Sequence, residues 1–125
     1  MALILDAGAL IAIDRRDRRV GAMLRVAQRD GLSVRSSAAV VAQVWRDRAR
    51  QAPLAMMLRG IQILSIDEIV GKQVGELLGR TKSSDIVDGH VALMAATGDV
   101  VATSDPGDIE RLLDTRRIAT VTVLV

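Results

Sequence analysis

The chain has 125 residues, enough for one ordinary domain that buries about two thirds of its unfolded surface. Half of them are apolar and nearly all of those aliphatic, with one Trp and neither Phe nor Tyr; this excludes disorder and leaves almost nothing for stacking single-stranded bases. No cysteine is present and His90 is the only histidine, so disulfides, zinc–thiolate sites and cysteine nucleophiles are excluded, while a net charge of +2 hides an excess of Arg over Lys, 15 to 2, and of Asp over Glu, 12 to 3.

Residues 2–5, Ala-Leu-Ile-Leu, form a short apolar run expected to be a buried strand. A helix is predicted from Ala7 to about Asp14, followed by the basic loop Arg15-Arg16-Asp17-Arg18-Arg19. A second helix covers about 18–30, with Val20, Met23, Leu24 and Ala27 on one face and Gly31 as its stop. Residues 32–34 make a weaker strand, and Ser36 or Ser37 caps a helix running to about Arg48. Pro53 opens a short helix to about Arg59, and 61–64 is a third strand. Asp67 begins a helix to about Leu78, 79–84 is a polar loop, and a further helix spans about 85–96. Residues 100–103 are a fourth strand, Asp105-Pro106 starts a helix to about Leu113, and 120–125 supply a fifth strand.

Strands alternating with helices of about 10–15 residues predict βαβ units. The expected fold is a single α/β domain over 1–125: three layers, α/β/α, around a mostly parallel sheet of about five strands with right-handed crossovers. The opening residues lack the basic leader of a signal peptide, and no apolar run reaches about 18 residues, so no membrane span is expected and the cytoplasm is the expected location.

In an open parallel sheet, ligands bind beyond the carboxyl ends of the strands. Asp6 ends the first strand and Asp105 follows the fourth, so both belong to that edge. Asp85 and Asp88 add two carboxylates at the start of a helix, three residues apart on one face. Carboxylates gathered in this way ionise together only around a cation, and with oxygen the sole available donor that cation is Mg²⁺ or Mn²⁺. Such an ion binds phosphate and lowers the pKa of its water, so no nucleophilic side chain is required. A purely structural reading stands beside this one: Asp is a favoured helix cap, Asp105-Pro106 and Asp85 both fit cap positions, and Asp88 and Asp108 are first-turn acids. Asp6 fits that reading least, because Ser or Thr would cap as well. His90 is a candidate general base, or a structural histidine with no evident partner in sequence. The arginines suit bidentate phosphate contacts, and coding-DNA composition accounts for them equally.

Three segments together carry a resemblance: Ile4-Leu5-Asp6-Ala7-Gly8-Ala9-Leu10-Ile11-Ala12, Asp85-Ile86-Val87-Asp88-Gly89-His90-Val91-Ala92-Leu93-Met94-Ala95-Ala96 and Val101-Ala102-Thr103-Ser104-Asp105-Pro106-Gly107-Asp108-Ile109. In order and spacing they resemble PIN domains, in particular the VapC-like toxins of bacterial toxin–antitoxin pairs. The resemblance implies a parallel sheet flanked by helices, and about four acidic residues holding Mg²⁺ or Mn²⁺ for RNA cleavage. It implies that Asp6, Asp88 and Asp105 are catalytic metal ligands, with Asp85 and Asp108 as further carboxylates. It also implies a cognate antitoxin as partner and a homodimer. The family's usual Glu, in the helix after the second strand, is here Gln43, an amide that can coordinate without bringing charge.

The leading expectation is a metal-dependent endoribonuclease acting as a toxin. The alternative is a degenerate PIN-like domain that binds RNA or a protein without cutting. A phosphotransfer receiver is a weaker third reading, because no Lys follows Lys82. Arg15 and Arg46, with Arg16, Arg18, Arg19, Arg48 and Arg50, are the candidate contacts to RNA phosphates or to an acidic partner segment.

Overall fold

The computed structural model describes residues 1–125. In chain order the elements are β1 (Ala2–Leu5), α1 (Ala7–Asp14), α2 (Arg18–Arg29), β2 (Ser33–Ser37), α3 (Ala38–Val44), α4 (Ala52–Leu58), β3 (Gln62–Leu64), α5 (Glu68–Thr81), α6 (Ile86–Met94), β4 (Val100–Thr103), α7 (Pro106–Arg116) and β5 (Val121–Leu124). The five strands form one sheet in the order β3-β2-β1-β4-β5. Every pairing is parallel, which sharpens the expected "mostly parallel" sheet.

This order fixes the layers. From β1 the chain steps outward to β2 and β3, then returns to the other side of β1 for β4 and β5. Right-handed crossovers in opposite directions place their helices on opposite faces. So α1 to α4 cover one face, with α1 packed on α2, α3 and α4, and α5 to α7 pack together on the other. The direction of winding reverses between β1 and β4, and a crevice opens beyond the carboxyl ends of those two strands.

β1 lies at the centre of a cluster of 25 buried apolar residues, and all four of its own residues are buried. A strand covered on both faces requires such an unbroken apolar run. Side-chain oxygens start five of the helices: Asp6, Asp17, Ser37, Asp67 and Asp85 each accept a backbone N–H from the first turn.

Four boundaries differ from the sequence reading. β2 continues through Arg35 and Ser36 to Ser37, because ladders to β1 and β3 hold even this polar segment extended. α3 stops at Val44 rather than near Arg48: the buried Gln51 amide accepts from the Arg46 and Asp47 N–H groups and donates to the Val44 carbonyl, ending the helix from outside. α5 runs through Gly79 to Thr81, carried by the burial of Val74, Leu77 and Leu78, and ends on a left-handed Lys82. α7 extends to Arg116, whose guanidinium reaches back to the carbonyls of Ala92 and Ala95 at the end of α6.

Candidate active site

Asp6 is the first residue beyond β1. It is 6% exposed, and its backbone N–H continues the ladder to Ala102 of β4. Its two carboxylate oxygens have separate tasks. Oδ1 accepts the Ala7 N–H at the start of α1 (2.8 Å), and Oδ2 accepts the hydroxyl of Thr103, the last residue of β4 (2.8 Å). The Thr103 hydroxyl in turn accepts the Asp105 N–H at 3.0 Å. One buried hydroxyl therefore ties the acid of β1 to the loop that carries the acid of β4.

Gly8 explains why that loop can come so close. A Cβ at Gly8 would lie 2.6 Å from Ser104 Oγ, 2.7 Å from Ser104 Cβ and 3.1 Å from its backbone N. The glycine thus serves close packing of the first turn of α1 against the β4–α7 loop.

Asp105 occupies the cap position of α7 but its side chain caps nothing, and the missing N–H of Pro106 removes one donor it could have taken. Its carboxylate is exposed and uncommitted. Asp108, exposed in the first turn of α7, is 3.8 Å from Arg111, a surface pair of small energetic value. Asp85 does cap: it accepts the Asp88 N–H at 2.9 Å. Asp88 itself is half-buried in the first turn of α6.

The electrostatics bring the five together. The Asp88 carboxyl is pushed from the ordinary 3.8 up to about 7, first by burial and then by the negative charges of Asp85, Asp6, Asp108 and Asp105. Each of the five aspartates singled out in the sequence thus contributes to one negative field at the carboxyl edge. No three acidic or imidazole side chains close on a common point at ligand distance. The donor set still fits a hard divalent cation: it is entirely carboxylate, one member is uncommitted, and the one ion pair among the five is the exposed Asp108–Arg111 contact.

The remaining candidates lie on α3 and at the ends of α1 and α3. Gln43 is exposed on the last turn of α3, and its amide has no hydrogen-bond partner. Arg15 sits at the end of α1 opposite to Asp6, about 13.5 Å away by helix rise. Arg46 follows the far end of α3, where its guanidinium donates to the Ala42 and Trp45 carbonyls.

His90 departs from the sequence reading, which found it no partner. It is 2% exposed, and Nδ1 lies 2.6 Å from Ser37 Oγ. Ser37 Oγ also accepts the Ala39 N–H, so the same hydroxyl caps α3 and holds the imidazole of α6. Burial lowers the His90 pKa and favours the neutral form. Ser37 caps α3 as expected, but its tie to His90, the tie of Ser36 to Leu5 and that of Thr103 to Asp6 have no counterpart in the sequence pattern. The residues themselves leave a faint signal: hydroxyls at the last positions of strands that end at the acidic edge.

No protein-family model matches the chain, and no curated protein matches it. Solved structures do. One is a chain of VapBC2 from Rickettsia felis, crystallised bound to a DNA fragment from their promoter. It superposes with a TM-score of 0.72 over 98% of this chain and 99% of that one, at 14% sequence identity. That likeness establishes the fold. The chain has a PIN-like α/β/α fold, as the three motifs implied, and its acidic edge lies at the point where the winding of that fold reverses.

A groove of about 540 Å³ lies elsewhere, between α2, α4 and the α1–α2 corner. Leu24 and Met57 contribute to its apolar lining, with Arg16, Arg18 and Arg25 among its polar residues. No helix is long and apolar enough to cross a membrane.

Proposed function

We propose that the chain is a Mg²⁺- or Mn²⁺-dependent endoribonuclease that acts as the toxin of a toxin–antitoxin pair. The observation that carries this reading is the setting of Asp88: burial first, and then four other aspartates at its edge of the sheet, raise its pKa to about 7. An arrangement so unfavourable to folding is retained where a cation or a reaction uses it. Asp6, Asp88 and Asp105 would hold the ion, with Asp85 and Asp108 completing the negative surround. The ion would supply an activated water and a counter-charge for the phosphodiester oxygens.

The chain's own residues do the rest. Thr103 fixes Asp6 Oδ2 and leaves Asp105 free to turn toward a ligand. Asp88, raised by burial and by its acidic neighbours in the metal-free chain, would lose its proton on taking up a cation.

An antitoxin fits the groove beside α2 and α4, where an apolar lining with arginines suits an acidic amphipathic segment. A homodimer is part of the same proposal, with exposed Ile69 and Ile86 contributing apolar area. So is a single domain working in the cytoplasm.

The deciding experiment is cleavage of a single-stranded RNA with Mg²⁺ or Mn²⁺ by the native chain and by Asp6→Asn. Cleavage by the native chain and its loss in the variant support the reading; equal cleavage removes Asp6 from the mechanism. The second reading, a degenerate domain that binds without cutting, is favoured by the uncharged Gln43 and by the absence of three converged ligands. Calorimetry with Mn²⁺ separates the two. No metal binding at millimolar concentration, with RNA or protein binding retained, selects the second.

A further inference from the structure

The acidic edge poses a mechanical problem. Five carboxylates of one sign push apart the elements that carry them, so those elements have to be tied. The β4–α7 loop is tied to β1 through Thr103 and the Gly8 contact. The first turn of α6 has no such link through the chain, because it follows the loop after α5 and no strand leads into it. Gly89 seats it on Val74 and Leu78 of α5, where an added Cβ would come within 3.0 Å of both side chains. That contact fixes α6 to another helix and leaves its relation to the sheet open.

Two consecutive hydroxyls close this gap. Ser36 and Ser37, the last residues of β2, are both 0% exposed. Ser36 Oγ donates to the Leu5 carbonyl at 2.7 Å, one residue before Asp6. Ser37 Oγ meets His90 Nδ1 at 2.6 Å, two residues after Asp88. Their side chains leave a strand in opposite directions, so one dipeptide reaches sideways to β1 and outward to α6. Buried hydroxyls at the end of a strand cost desolvation unless both are bonded, and both are.

We propose that Ser36, Ser37 and His90 are positioning residues that hold the Asp6-bearing strand and the Asp88-bearing helix at a fixed separation, so that the two carboxylates can share one divalent cation. This rests on the metal-binding reading of the site above. The ion-holding geometry is then set by a strand, β2, that contributes no acid of its own to the edge.

The test is calorimetric titration of Mn²⁺ alone into the full chain, for the native protein, Ser37→Ala, His90→Leu and His90→Asn. The Asn side chain offers an acceptor near the place of Nδ1, and Leu offers none. Ser37→Ala and His90→Leu are expected to weaken Mn²⁺ binding by about 10-fold, the lower end of the effect of removing a group bonded to a metal ligand, because they act on Asp88 through the backbone of α6. His90→Asn is expected to recover most of that loss.

A purely structural role would lower the unfolding temperature of both His90 variants and leave Mn²⁺ affinity in the folded proteins unchanged. That result overturns the inference, as does equal weakening by His90→Leu and His90→Asn. If Ser37→Ala fails to fold, the two His90 variants decide alone. Failure of the underlying reading has a different signature: the native chain binds no Mn²⁺, or Asp6→Asn binds it as well as the native chain, and the inference falls with it.

Discussion

The two ends of the sheet each bury an aspartate, and the two have opposite surroundings. At the amino end Asp99 is 4% exposed; Oδ1 accepts the Ala2 N–H and Oδ2 the Ala96 N–H, both at 2.8 Å. Every neighbour named there is a donor, and the carboxylate closes the turn into β4 and pins the start of β1. At the carboxyl end Asp6 is 6% exposed and also has two donors, but it shares its edge with Asp85, Asp88, Asp105 and Asp108. Only Arg111 pairs with any of these five, and it does so on the exposed Asp108. Burial therefore does not distinguish a structural from a chemical aspartate in this fold. What distinguishes them is whether the surrounding groups satisfy the charge or add to it.

The largest expected effects break the comparison directly. Asp6→Asn and Asp88→Asn should each lower RNA cleavage by about 100- to 1,000-fold, roughly 3–4 kcal/mol of barrier, in a steady-state assay with Mn²⁺. Asp99→Ala should leave the Mn²⁺ affinity of the folded protein unchanged while costing about 1–3 kcal/mol of stability, since the buried Ala2 N–H and the half-buried Ala96 N–H lose their acceptor. Urea unfolding measures the second effect. If Asp99→Ala weakens Mn²⁺ binding as much as Asp6→Asn does, the two ends are not distinct in kind.

Gly8→Ala comes next. The Ser104 hydroxyl at 2.6 Å could swing away, but Cβ at 2.7 Å and the backbone N at 3.1 Å move only with the β4–α7 loop. A loss of about 1–3 kcal/mol is expected, the range for overpacking, with the unfolding midpoint as the measurement. A fully stable Gly8→Ala protein would mean that the loop carrying Asp105 is freer than the close contact implies.

The ends of the sheet also differ in how much of them the sequence disclosed. β1 and β4 were legible because an unbroken apolar run followed by an acid is a local signal, and the acids at 85 and 88 were legible by spacing within one helix turn. The ties between them were not. Thr103 meets Asp6 across 97 positions, and Ser37 meets His90 across 53; no periodicity within a window links residues so far apart. For the same reason His90 looked partnerless. β2 outruns its sequence signal because Arg35, Ser36 and Ser37 have no intrinsic claim to a strand, and only the neighbouring ladders give them one. α3 falls short of its apolar pattern because its stop comes from Gln51, seven residues beyond its last residue, Val44. Asp99 carries no local signal, since a Gly-Asp turn before a strand looks like any other.

The pH dependence of stability tests the field at the carboxyl edge without any RNA. A carboxyl whose pKa is higher in the folded chain binds its proton more tightly there, so the protonated form favours folding. For Asp88 that contribution is full below about 3.8, is lost as pH rises, and is gone above about 7. Because the group is only half-buried, screening reduces the effect to roughly 1–2 kcal/mol. Urea midpoints of the metal-free protein should fall across that window. Asp88→Asn should flatten the slope, and saturating Mn²⁺ should flatten it in the native chain by offsetting the negative charge. A native profile without slope would remove the observation on which the proposed function stands.

The smallest expected change concerns the acid that is absent. Gln43 is exposed, lacks a hydrogen-bond partner, and lies on the helix capped by Ser37 at its other end. Gln43→Glu adds one negative charge with almost no change in volume, so packing is not disturbed. If the amide stands where it can reach an ion at the acidic edge, the new carboxylate should tighten Mn²⁺ binding by about 3- to 10-fold, on the order of 1 kcal/mol, and accelerate cleavage with it. The same charge should steepen the metal-free loss of stability with pH, because a sixth carboxylate joins the five. The two readouts together locate the residue: tighter binding with a steeper slope puts position 43 in the field of Asp88, and no change in either puts it outside, leaving Asp85 and Asp108 as the only carboxylates left to complete the set begun by Asp6.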